Sequence, residues 1–248
     1  METTERFRQL HADGFFVMPN AWDLGSARRL ENLGFEAIAT TSSGHAWSMG
    51  KQDQQITFDE LCEHVEVMCA AVDIPVSVDS ERLFADTPDG IAENVATLAS
   101  LGAAGVSIED YDPSRKAIEG IDDATERVAA AVDAARTHGL VVTARAENHL
   151  YGAGDLDDTV HRLLAYARAG AEVVYAPFLV ELADIARVVD GVDVAVNVLL
   201  LPGVPPPVTL ADLGVRRGST GGSLANAAYA TMEKIVDELP RQISNTDG

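Results

Sequence analysis

The chain has 248 residues, a formal net charge of −21, 47% hydrophobic residues and only three lysines, Lys51, Lys116 and Lys234. The apolar share suits a globular protein with a sizeable core, and no apolar stretch reaches the roughly 18–20 residues of a membrane span. Such an acidic surface repels phosphate backbones, which argues against nucleic-acid binding. The first residues carry early acids and no apolar signal region, so the chain reads as soluble and cytoplasmic.

Taken in chain order, short apolar runs alternate with amphipathic stretches. Strands are predicted at 15–19, 37–41, 76–79, 105–109, 141–145, 173–176, 194–198 and 216–219. Apolar residues spaced three and four apart predict helices over 57–72, 88–101, 122–138 and 157–169. Thr57 with Glu60 forms a capping box, and Thr87-Pro88 puts proline at a helix start. Gly34, Gly102, Gly170 and Gly214 each close a helix, where glycine takes the left-handed conformation, just before a strand. The proline cluster at 202–207 reads as a loop after the seventh strand. Cys62 and Cys69 share one helical face seven residues apart, with no spacing for a disulfide or zinc site. Eight alternations without a dinucleotide fingerprint or a composition break predict one (β/α)8 TIM-type barrel domain over 1–248.

Barrel active sites lie at the carboxyl ends of the strands. Those ends carry Thr41-Ser42-Ser43-Gly44-His45, Asp79-Ser80-Glu81, Glu109-Asp110, Arg145-Ala146-Glu147 and Ser219-Thr220-Gly221-Gly222, and the seventh strand passes through Asn197. Asp79 and Glu81 are two apart and share one side of an extended chain. Acids converging on one mouth repel unless a cation sits between them, and Mg²⁺ or Mn²⁺ suits oxygen ligands; Asp79, Glu81 and Glu109 are the candidates. The competing reading has these acids capping helices or pairing with Arg82 and Arg145. Arg145 fits a substrate carboxylate, or an ion pair with Glu147 or Glu109. Ser43, Gly44 and His45 can offer backbone N–H groups to an anion, and with Asn197 and Arg145 they form the candidate substrate side. His64 and His161 read as surface or packing residues. No Ser/His/Asp order or Gly-x-Ser-x-Gly elbow supports acyl transfer.

From about 15 to 230, nearly the whole chain, the order and spacing of several motifs resemble the isocitrate lyase/phosphoenolpyruvate mutase superfamily. They are Pro19-Asn20-Ala21-Trp22-Asp23, Thr41-Ser42-Ser43-Gly44 with Gly50-Lys51-Gln52-Asp53, Asp79-Ser80-Glu81, Glu109-Asp110, Ala144-Arg145 and Gly221-Gly222. The resemblance implies an α/β barrel whose last helix is exchanged between subunits of a homodimer or homotetramer. It implies Mg²⁺, and cleavage of a C–C or P–C bond beside a 2-oxo acid through an enolate. It makes Asp79 the principal metal ligand, Glu81 and Glu109 its companions, and Arg145 the binder of carboxylate or enolate oxygen. Ser43, Gly44 and His45 become the substrate-carboxylate segment, and Asp53 the acid of a mobile gating loop. A Lys-x-Cys-Gly-His motif after the Glu-Asp pair is missing, which sets true isocitrate lyase activity aside. The usual Gly-Tyr-Gly is replaced by Leu83-Phe84-Ala85, which leaves the substrate open and predicts a crowded or reshaped pocket. A C–C lyase of small 2-oxo or 2-hydroxy carboxylates leads. P–C chemistry aided by Lys116, or a non-catalytic relative, stands beside it.

Overall fold

The computed structural model describes residues 3–239. In chain order it contains α1 (Thr3–Ala12), β1 (Phe16–Met18), α2 (Leu24–Asn32), β2 (Ile38–Ala39), α3 (Ser42–Ser48), α4 (Phe58–Ala71), β3 (Val76–Val78) and α5 (Pro88–Ser100). β4 (Gly105–Glu109) leads through a small hairpin, β5 (Tyr111–Asp112) with β6 (Ala117–Ile118), into α6 (Ile121–His138). β7 (Val141–Arg145), α7 (Leu156–Arg168), β8 (Val173–Tyr175), α8 (Leu182–Gly191), β9 (Ala195–Leu199), α9 (Pro207–Leu213), β10 (Arg217–Ser219) and α10 (Ser223–Asp237) complete it.

Eight strands pair in parallel in the order β1-β10-β9-β8-β7-β4-β3-β2. The sheet closes through a bridge between Asn20 and Ala39, where the Ala39 N–H donates to Pro19 O at 3.0 Å and the Ala21 N–H to Ala39 O at 2.7 Å. This is the expected barrel. Outward residues such as Val106, Val142, Val174 and Val196 pack under the helices in the main core. α1, absent from the sequence reading, stops the amino end: its Phe7 is fully buried with Phe16, Ala37, Ala104, Val141 and Val173. Gly105 makes room for it, because a Cβ there would lie 2.8 Å from both Phe7 and the Val141 carbonyl.

The start signals hold. Thr57 and Glu60 form the reciprocal capping box, and Thr87 caps α5 with Pro88 at its first turn. Gly34, Gly102, Gly170 and Gly214 all have positive φ after their helices. Three segments differ from expectation. The second strand shrinks from 37–41 to Ile38–Ala39, because Thr41 caps α3 through its side chain; residues 42–48, for which no helix is predicted, are helical. The stretch after Glu109 forms a hairpin. The proline-rich loop ends by supplying Pro207 to the first turn of α9. Among the described residues no helix is long and apolar enough to cross a membrane.

The turn after Glu81 keeps the shape that glycine would adopt without strain: Glu81, Leu83 and Phe84 have φ of 46°, 61° and 51°. Each left-handed non-glycine residue costs about 1–2 kcal/mol. Burial offsets it, since Leu83 is wholly enclosed in the main core and Phe84 packs on Phe58 with ring centroids 5.8 Å apart. Neither side chain lines the cavity at the barrel mouth, so the expected crowding does not occur.

Candidate active site

A cavity of about 170 Å³ opens at the carboxyl ends of the strands, walled by Thr41, Ser42, Ser43, Asp53, Asp79 and Arg145 among others. Asp79 follows β3 directly, and its N–H donates to Thr40 Oγ1 at 2.9 Å. Its Oδ2 accepts both the N–H and the hydroxyl of Ser42, each at 2.9 Å. Ser42 opens α3, so the carboxylate meets the positive end of a helix. The other oxygen, Oδ1, accepts from Arg145 Nη1 at 2.6 Å.

Arg145 ends β7 in register with Glu109 at the end of β4. Its Nε donates to Glu147 Oε1 at 2.8 Å, its Nη2 lies 3.3 Å from Glu109 Oε2, and its guanidinium carbon stands 5.4 Å from the centre of the Tyr175 ring. Gln54 Nε2 donates to Glu109 Oε1 at 2.8 Å. Arg145 thus pairs with Asp79, Glu109 and Glu147 together, as the ion-pair reading of the strand-end acids expects.

One guanidinium does not balance this many acids. Burial raises the Glu109 carboxyl well above its usual range, outweighing the attraction of Arg145, and raises Glu147 for the same reason. Asp53 is raised by burial and then by Asp79. Glu81 is pushed up to about 8, first by burial and then by the charges of Asp79 and Asp53, and its Oε1 is buried with no hydrogen-bond partner. An oxygen-only donor set with surplus negative charge and an orphaned carboxyl oxygen fits a hard divalent cation. Among the described residues no three His, Cys, Asp or Glu side chains form a ready-made cage.

The remaining sequence candidates divide. Ser43 lines the cavity. Gly44 lies inside α3, where a Cβ would meet Thr41 at 2.6 Å, Trp22 at 3.0 Å and Ala225 at 3.1 Å, so helix packing already requires glycine. The N–H groups of Gly44 and His45 bond to Thr41. The His45 ring turns away from the cavity and stacks on His64, centroids 3.8 Å apart, with neither His45 nitrogen partnered. Asn197 reaches the lumen, but its amide is committed to Arg217 and Ser219. Lys116 sits exposed in the hairpin turn, outside the cavity wall. Sequence reasoning missed Gln54, Tyr175 and Arg217. It left Glu147 as one possible partner of Arg145, although a two-residue offset, like that of Asp79 and Glu81, marks both for the site.

The buried histidines give the fold an acid limit. Burial holds His64 at about 3, with His45 beside it lowering it further and Asp23 opposing. Above pH 6.5 the imidazole is neutral in both folded and unfolded chains, and nothing is lost. As pH falls from 6.5 towards 3, the unfolded chain takes up a proton that the fold refuses, at about 1.4 kcal/mol per pH unit. His64→Phe is expected to make the acid limb of a urea-midpoint profile shallower by one proton; an unchanged limb counts against this assignment.

These features define a closed parallel α/β barrel with an acidic, arginine-centred cavity at the carboxyl face. The phosphoenolpyruvate phosphomutase family profile matches residues 7–240, and the chain belongs to the phosphoenolpyruvate mutase/isocitrate lyase superfamily. It is similar to a Burkholderia cenocepacia protein of solved structure, provisionally described as a lyase/mutase, with 45% identity, a TM-score of 0.92, and 97% of this chain and 88% of that one covered. The oxaloacetate decarboxylase of Paraburkholderia xenovorans is 31% identical, covering 92% of this chain and 79% of its own. A Corynebacterium glutamicum protein named as a probable 2-methylisocitrate lyase is 30% identical, covering 93% and 78%. The kinship is with carbon–carbon lyases at the level of the family.

Proposed function

We propose that the chain is a Mg²⁺-dependent lyase that cleaves a C–C bond of a small 2-oxo or 2-hydroxy carboxylate through an enolate. The observation that carries this reading is the surplus of carboxyl groups around Arg145 and Asp79 at the barrel mouth. Asp79 would hold the metal, with Glu81 and Glu109 behind it, directly or through water. Bound Mg²⁺ supplies a Lewis acid that withdraws charge from the oxygens of a 2-oxo acid. Arg145 then faces the oxygen that gains charge, and Ser43 at the start of α3 orients the substrate carboxylate. Asp53, on the cavity wall with its carboxyl raised, can hold a proton beside the reacting carbon. Leu150 and Phe178 line the opening and help to exclude water from the enolate.

The exposed position of Lys116 supports C–C over P–C cleavage, and the inward packing of Leu83 supports a working site over a non-catalytic relative. The reading includes a homo-oligomer joined through α10, on which Met232, Ile235 and Val236 are more than half exposed. Ile235→Asp is expected to halve the mass seen by light scattering; an unchanged mass removes α10 from the interface.

Millimolar Mg²⁺ with oxalate, an enolate mimic, is expected to raise the melting temperature by several degrees through preferential binding to the folded chain. Asp79→Ala should abolish that rise. No shift in the wild type, or full retention in the variant, removes the metal assignment. Pyruvate release from hydroxy-diacids, measured against phosphonopyruvate, then decides the bond that is cleaved.

A further inference from the structure

Beneath the acid layer the barrel lumen holds a second positive charge that the proposed chemistry does not use. Arg217 on β10 is 2% exposed and lies in register with Asn197 of β9. Its Nε donates to Asn197 Oδ1 at 2.8 Å, its Nη2 donates to Thr143 Oγ1 at 3.0 Å, and its Nη1 lies 3.2 Å from His11 Nε2. Every one of these partners is uncharged: burial and the neighbouring guanidinium hold His11 at about 3. Among the described residues Arg217 forms no ion pair, whereas the other buried arginines, Arg127 and Arg162, each face a carboxylate.

An uncompensated buried guanidinium is costly, and its surroundings register the cost: burial pulls Arg217 down to about 9. Three of its five N–H groups have partners, which leaves donors to spare. The lumen around it is also unusual for a barrel, whose interior layers are dominated by bulky branched side chains. Here the cavity continues down from Asp79 and Arg145 between Ser77, Ser107, Thr143 and Asn197 to Arg217. A roomy, hydroxyl-lined space that ends on a cation without a counter-charge is built to receive an anion.

We propose that the floor of this cavity is a subsite for a small monovalent anion, held by Arg217 together with the hydroxyls of Thr143 and Ser77. The shared chemistry is a compact, singly charged acceptor, supplied either by a second carboxylate of the substrate or by a free halide. Only the substrate source rests on the lyase reading; the subsite itself needs neither Mg²⁺ nor turnover.

The test is thermal unfolding at pH 7 without Mg²⁺ and at constant ionic strength, replacing the large anion gluconate with formate or chloride. Wild-type protein is expected to gain about 3–5 °C at ten times the dissociation constant. Arg217→Met, which removes the uncompensated charge, should melt no lower than the wild type in gluconate and respond to neither anion. Thr143→Val keeps the fold and should weaken anion binding by roughly tenfold, so the test survives a poorly folding Arg217 variant. A response to formate alone assigns the subsite to a carboxylate, and equal responses assign it to a free ion. A flat wild-type profile, or identical anion responses in the wild type and both variants, overturns the subsite. An anion response without any Mg²⁺–oxalate shift would sink the lyase reading and leave the subsite standing.

Discussion

Arg145→Ala is expected to lose about 3–5 kcal/mol of folding stability near neutral pH, because it strips the shared cation from three carboxylates at once. Asp79, Glu109 and Glu147 all lie within 3.3 Å of that guanidinium. For a chain of this size the loss lowers the melting temperature by roughly 10 °C or more. The variant should also show a steeper pH response of these acids than the wild type. Burial already raises the Glu109 and Glu147 carboxyls, and Arg145 is the main force drawing them back. Without it their folded pKa rises further above the unfolded value. A raised carboxyl costs stability at high pH, and the cost fades as pH falls through the folded pKa towards the unfolded one. Arg145→Ala should therefore become more stable between pH 8 and pH 5, and it should gain more from Mg²⁺ than the wild type does. Denaturant midpoints over that range read the effect directly. A variant that merely parallels the wild type at a lower level would show that the acids are already neutral in the fold. Arg145→Lys should fall between the two, since it keeps the charge and loses the fork that spans three partners.

The barrel was legible because each strand is an apolar run closed off by polar groups, and because four glycines announce the left-handed ends of helices. The same logic exposed Asp79, Glu109 and Arg145: a charged residue ending a buried strand has few places to go other than the mouth. What stayed hidden was set by tertiary contacts. α1 is polar along most of its length and buries only Phe7, so its face carries too little pattern to be read. The hairpin strands are two residues each, below the length at which alternation carries information. Ser42, Ser43 and Gly44 carry no helical pattern of their own, yet the Thr41 cap and the Asp79 carboxylate satisfy the first N–H groups of a helix. Arg216 and Arg217 are adjacent, and only the barrel register decides between them: Arg216 reaches the exposed Gly14 carbonyl while Arg217 turns into the lumen. His45 belongs to a predicted substrate segment, but its side chain stacks on His64 of α4, a partner distant in sequence.

Asp110→Ala is expected to approach the cost of losing Arg145, although Asp110 never meets the cavity. It is 2% exposed and serves three elements. Its Oδ1 accepts the Glu147 N–H at 2.8 Å, which pins the chain leaving β7, and its Oδ2 accepts from Tyr166 OH at 2.6 Å and from Arg162 Nη1 at 3.1 Å, both on α7. Removing it leaves a phenol and a backbone N–H unpaired and takes one of two carboxylates from Arg162, which keeps Asp158 and the Glu119 carbonyl, a penalty of about 3 kcal/mol, the lower end for a broken buried pair. Tyr166→Phe deletes one of these bonds without orphaning a charge, and should cost only about 1–2 kcal/mol. The two variants separate stability from function. If the Glu147 backbone bond positions the carboxylate that faces Arg145, Asp110→Ala loses catalytic rate beyond what its folded fraction explains, whereas Tyr166→Phe keeps full rate per folded molecule. Equal rates per folded molecule in both would confine Asp110 to joining β4, β7 and α7. A loss seen only in Asp110→Ala would make the second acid of the Glu-Asp pair the residue that positions Glu147 against Arg145.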